Sequence, residues 1–72
     1  MDREKTRIHP PYYFLQAYQR QAGYSNEYMG NLLGMSGRSY LNKVLGWSDF
    51  TNQQAVKIAA VFRAPQDQIF LI

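Results

Sequence analysis

A chain of 72 residues is one domain, and without a cysteine it has no disulfide or thiolate-metal staple. A core of this size supplies only about 3–5 kcal/mol of net stability, so helical packing, with or without dimerisation, has to hold it. The hydrophobic content of 46% suits a globular domain, no apolar run approaches the ~18 residues of a membrane span, and no signal-peptide pattern is present, so a cytosolic protein is expected. The net charge of +3, from eight Lys+Arg and five Asp+Glu, permits nucleic acid as a partner without demanding it.

Residues 1–9, MDREKTRIH, alternate in charge and carry no apolar period, which reads as a mobile N-terminal arm ahead of a single domain over 10–72. Arg3, Lys5 and Arg7 could serve a minor-groove or phosphate-binding arm. Asp2 and Glu4 largely cancel that charge, which favours a solvated terminus. His9, the one histidine, has no Cys, Asp or Glu at ligand spacing and reads as a solvated or packed residue.

Pro10 and Pro11 suit a helix start, where the missing proline N–H costs nothing. A first helix is expected over 11–22, on Phe14, Leu15, Tyr18 and Ala22, with Gly23 stopping it and Tyr12 and Tyr13 packing at one end. Ser25 is the N-cap of a second helix over 26–33, with Tyr24 and Met29 at hydrophobic-staple spacing and an apolar stripe at Met29, Leu32 and Leu33. Gly34 ends it, and Met35 is the inward residue of the turn. Gly30 costs about 1 kcal/mol inside a helix, which points to a steric reason for its presence.

Ser36 caps a third helix over 37–45, with Leu41, Val44 and Leu45 inward and Arg38, Ser39, Asn42 and Lys43 outward. Residues 46–51 form a loop in which Trp47 and Phe50 plug the core, an exposed partner hot spot being the alternative. Thr51 and Gln54 fit a capping box that opens a fourth helix over 52–63, on Ala55, Ile58, Ala59 and Phe62. A short fifth helix is expected over 66–70. The expected core is Phe14, Leu15, Tyr18, Met29, Leu32, Leu33, Met35, Leu41, Val44, Leu45, Ile58, Phe62 and Ile69.

Two short helices joined by a glycine-containing turn, the second with a polar and basic face, form the pattern of a DNA-binding helix-turn-helix. The stretches G-Y-S-N-E-Y-M-G, L-L-G-M-S and K-I-A-A-V-F-R-A-P-Q-D-Q-I-F carry a closer likeness. Through them, residues 14–70 resemble the Cro/repressor helix-turn-helix (XRE-like) family of phages and bacteria. The resemblance implies an all-α fold, a compact five-helix Cro/repressor-like domain with the third helix as the reading helix. The chain departs from the family pattern in three ways. The inward phase of Leu41, Val44 and Leu45 requires Gly37 to join the turn, the third helix ends Val44-Leu45-Gly46, and Gly37 and Arg38 stand where the family often places base-reading Gln or Arg. Size and charge also resemble the small modulators of repression that face a repressor in temperate-phage switches. That resemblance implies a phage repressor as the heteromeric partner.

Chemistry other than binding finds no support in the sequence. There is no nucleophile–base constellation, no G-x-x-x-x-G-K loop and no ligand cluster, so neither enzyme activity, metal nor cofactor is expected. Asp49 and Asp67 are isolated carboxylates near helix starts. Over residues 8–72, Arg20, Arg38, Lys43, Lys57 and Arg63 stand against Glu27, Asp49 and Asp67, a surplus of two. An operator binder usually concentrates more cations on one face. The expected working surface is Asn26, Asn31, Arg38, Ser39, Asn42 and Lys43, with Tyr40, Trp47, Leu71 and Ile72 as a partner patch. It leads to an antirepressor in the bacterial cytoplasm, with a Cro-like homodimeric operator binder as the alternative.

Overall fold

The computed structural model describes residues 7–71, which form five helices and, among those residues, no strand. They are α1 (Tyr13–Ala22), α2 (Asn26–Leu33), α3 (Gly37–Leu45), α4 (Asn52–Phe62) and α5 (Gln66–Ile69). The all-α expectation holds. α1 starts two residues later than the prolines suggested. The Tyr12 N–H is used outside the helix, donating to the Val44 carbonyl at 3.0 Å, and Tyr12 is the N-cap. The first helical bond runs from the Gln16 N–H to the Tyr12 carbonyl.

Side-chain caps set the next three starts. The Ser25 hydroxyl accepts the Tyr28 N–H and the Ser36 hydroxyl accepts the Ser39 N–H. Thr51 and Gln54 close a reciprocal capping box in which the Gln54 side chain accepts the Thr51 N–H. α4 ends differently from its predecessors. It has no glycine at its C-cap, and Arg63 takes the left-handed conformation at φ 54.

The buried centre is Tyr12, Leu15, Met29, Tyr40, Val44, Ile58 and Ile69. Half-buried Tyr18, Leu33, Met35, Phe50, Phe62 and Phe70 pack around it. Rings close one side. Tyr12 meets Phe70 edge-on at 4.9 Å, and Phe50 lies between Tyr40 at 5.8 Å and Phe70 at 5.7 Å. Ile69 and Phe70 thus fold back as their apolarity requires, while Leu71 stays exposed.

The core differs from expectation at three helices. Phe14 is 47% exposed and Leu32 36%. In α3 the buried residues are Gly37, Tyr40 and Val44, not Leu41 and Leu45, which are only half-buried. The cause is Gly37. It belongs to the helix and faces α2, where a Cβ would stand 3.0 Å from the Glu27 backbone nitrogen. The spacing 37–40–44 then turns Tyr40 inward and rolls Leu41 and Leu45 toward the surface.

α2 and α3 are the most extensively packed helix pair. Gly30 makes the approach feasible, since a Cβ there would lie 2.7 Å from the Met35 carbonyl oxygen and 2.8 Å from that of Ser36. Its neighbour is the turn between the helices, not α3 itself.

Residues 1–6, including Arg3 and Lys5, lie outside the described residues, as does Ile72. Arg7 to His9, read from sequence as the end of a mobile arm, are instead bound to the C-terminal end of α3. Arg7 Nε donates to the Leu45 carbonyl at 2.8 Å, the Ile8 N–H to the Gly46 carbonyl at 2.7 Å, and the Arg7 guanidinium stands 4.5 Å over the Trp47 ring. The physical reason is that the last carbonyls of a helix have no intrahelical donor. This strap supplies donors for Leu45 and Gly46, and Tyr12 beyond it supplies one for Val44. Gly46, at φ 99, has room only for hydrogen where the His9 carbonyl crosses it.

His9 itself is buried and stacked on Tyr12 at 4.1 Å. Its Nδ1 lies 2.7 Å from the Pro10 carbonyl oxygen, and its Nε2 lies 3.0 Å from that of Ser48 and 3.4 Å from Asp49 Oδ1. It holds the strap to the α3–α4 loop.

Candidate functional site

The predicted working surface divides into three parts. Arg38 and Asn42 lie on the exposed side of α3, in one row with Leu41 and Leu45 at spacings of three and four. Ser39 and Lys43 lie on the neighbouring row. Ser39 is tied to Ser36 through their hydroxyls, and Lys43 Nζ donates to the Asp49 carbonyl at 3.0 Å, which anchors its charge over the loop. Asn26 is half-buried at the start of α2, where its Oδ1 accepts from Gln19 Nε2 at 2.9 Å. Asn31 is exposed and stands about 140° round α2 from Asn26. The structure therefore sets Arg38 and Asn42 in the exposed row of α3, Asn26 beside Leu41 and Leu45, and Asn31 on a different side of α2 from Asn26.

The partner patch needs correction at Tyr40. Its side chain is fully buried, because Gly37 sets the phase of α3, and it cannot touch a partner. Its hydroxyl donates to Gln19 Oε1 at 2.7 Å, and burial pushes its pKa above the ordinary tyrosine value. Trp47 is half-buried beneath Arg7. Leu71 is 52% exposed, and Ile72 lies outside the described residues.

Gln19 is the residue that sequence reading missed. Its amide nitrogen donates to the Tyr24 carbonyl and to Asn26, while its oxygen accepts from Tyr40. One side chain on α1 thereby fixes the first residue of α2 and the centre of α3. Among the described residues no buried side-chain polar atom lacks a partner. The available signal was a polar triplet, Gln16, Gln19 and Arg20, at helical spacing beside the apolar stripe of the first helix.

That triplet forms one wall of a groove of about 380 Å³. The opposite wall is Leu41, Val44 and Leu45, and Tyr24 and Asn26 close one end. Leu41 and Leu45, expected in the core, make that wall apolar. Arg20 lines it and Arg38 continues the α3 row just beyond it; both are exposed and, among the described residues, neither side chain makes a hydrogen bond or ion pair.

The described residues hold no group of three His, Cys, Asp or Glu placed to bind a metal ion. No helix among them is long and apolar enough to cross a membrane. No family model, no curated protein and no solved structure matches this chain.

Proposed function

We propose that this chain is a transcriptional regulator of a temperate-phage genetic switch, an antirepressor of the modulator-of-repression kind known from lactococcal phages. On this reading it acts in the bacterial cytoplasm by binding the phage repressor and blocking or modulating its hold on operator DNA. The observation that carries the reading is the outward face of α3. Half-exposed Leu41 and Leu45 stand between Arg38, Asn42, Gln16 and Arg20. An apolar centre with a polar rim is the anatomy of a protein interface. A phosphate-binding surface needs several cations at once. Here Arg38 is the one α3 cation in the outward row, Lys43 being held by the Asp49 carbonyl.

A second reading, a Cro-like homodimeric operator binder, draws on Arg38 and Asn42. Both are exposed on α3, and their side chains are of the kinds that pair with guanine and adenine edges in the major groove.

Two titrations separate these readings. Labelled operator is titrated with this protein alone, and preformed repressor–operator complex with the same protein. The antirepressor reading expects release or weakening of the repressor in the second titration and little binding in the first. Tight binding to operator alone, falling with salt at a log–log slope near about −0.9 per phosphate contacted, together with no effect on the repressor, rejects it and promotes the operator binder.

A further inference from the structure

We infer that the groove between α1 and α3 receives an acidic amphipathic helix of a partner protein, its apolar side on Leu41 and Leu45 and its carboxylates on Arg20 and Arg38. The inference rests on the protein-binding reading above and specifies what part of a partner is held.

Charge complementarity selects the occupant. The groove is lined by Gln16, Gln19, Arg20, Tyr24, Asn26, Leu41, Val44 and Leu45, with no carboxylate among them. Glu27 on the first turn of α2 and Asp49 in the α3–α4 loop both lie beside α3, but neither lines the groove, and Glu27 makes no ion pair among the described residues. A basic segment would therefore meet two arginines with nothing to offset them, and like-charge contact opposes association. An acidic one supplies both missing counterions. Arginine's planar fork suits bidentate pairing with a carboxylate.

Shape and length agree. From Arg38 to Leu45 the α3 row spans about 10 Å, close to two turns of a docked helix. Leucines at that spacing accept residues repeating every three or four positions. The walls are set in advance, because Gln19 is held by Tyr24, Asn26 and Tyr40, so an incoming helix meets an ordered surface.

The experiment uses the full chain, isotope-labelled, and three probes. The first is a synthetic helical peptide with leucines along one side and glutamates flanking them. The second is the same peptide with lysines replacing the glutamates. The third is a short DNA duplex. Amide and side-chain NMR shifts report the binding site, and titrations at low and high salt report affinity.

The expected result is that the glutamate peptide shifts Gln16, Asn26, Leu41 and Leu45, and binds about ten-fold more tightly than the lysine peptide at low salt. The double variant R20Q/R38Q, with both positions exposed and its fold checked by circular dichroism, should abolish that difference. L41S should weaken both peptides. Equal or tighter binding of the lysine peptide, or failure of the glutamate peptide to shift the groove, overturns the inference. Shifts confined to Tyr13 and Phe14 overturn it while leaving a protein-binding function in place. Stronger binding of the duplex than of either peptide, at the same residues, overturns both.

Discussion

At the scale of single residues, two backbone positions control how the helices meet. At Gly30 an added Cβ would come within 2.7–2.8 Å of two backbone oxygens, which cannot rotate away as a side chain could. Gly30→Ala gains about 1 kcal/mol of helix propensity but overpacks the turn. The expected net effect is a loss of about 1–3 kcal/mol, read as a lower urea midpoint at unchanged slope. Arg63 presents the opposite case. It sits at φ 54 with its side chain exposed, a conformation that costs an L-residue about 1–2 kcal/mol and glycine almost nothing. Arg63→Gly should therefore stabilise the domain by about 1 kcal/mol, less any entropy lost by the more flexible unfolded chain. Thermal unfolding of the two variants beside the parent checks both signs.

At the scale of elements, the strap and α3 behave as one unit. Three donors from residues 7–12 reach the carbonyls of Val44, Leu45 and Gly46, and His9 reaches across to Ser48. Removing residues 1–9 leaves the Leu45 and Gly46 carbonyls to water and exposes the Tyr12 ring on which His9 stacks. The expected cost is about 2 kcal/mol, with faster amide exchange over residues 43–48. This unit also marks where sequence reading stopped. Helix starts were legible because Ser25, Ser36 and Thr51 cap by local chemistry, and helix ends at Gly23, Gly34 and Gly46 by the same token. The strap was not legible, since its partners lie 38 and 39 residues away and alternating charge carries no period. The groove was missed for a related reason. Treating Gly37 as turn placed Leu41 and Leu45 inward, and a residue without a side chain gives no hydrophobic signal although it is buried against α2. The exposure of Arg38 and Asn42 was legible because polar residues between apolar ones on a helix face outward wherever the apolar ones go.

At the scale of the whole molecule, two of the seven residues in the buried apolar core are tyrosines, and both carry a proton that the fold protects. Burial raises the Tyr40 hydroxyl pKa, and its hydrogen bond to Gln19 uses the proton that ionisation would remove. Tyr12 is raised first by burial, then by donating to Asp49 Oδ1 at 2.8 Å, then by that carboxylate's charge. In the unfolded chain both titrate near about 10. Below that value both states are protonated and the stabilisation is complete. Above it the unfolded chain binds fewer protons than the folded one, so stability falls as pH rises. The loss continues through the folded-state values, which lie higher still. Urea unfolding should give a midpoint that drops steadily once pH passes about 10. Tyr40→Phe separates the two contributions. At neutral pH it should cost about 1–2 kcal/mol, because the Gln19 oxygen loses its donor. Above about 10 its midpoint should fall less steeply than the parent's, since one of the protected protons is gone. Parallel curves for the two proteins would mean that Tyr40 does not hold its proton through folding.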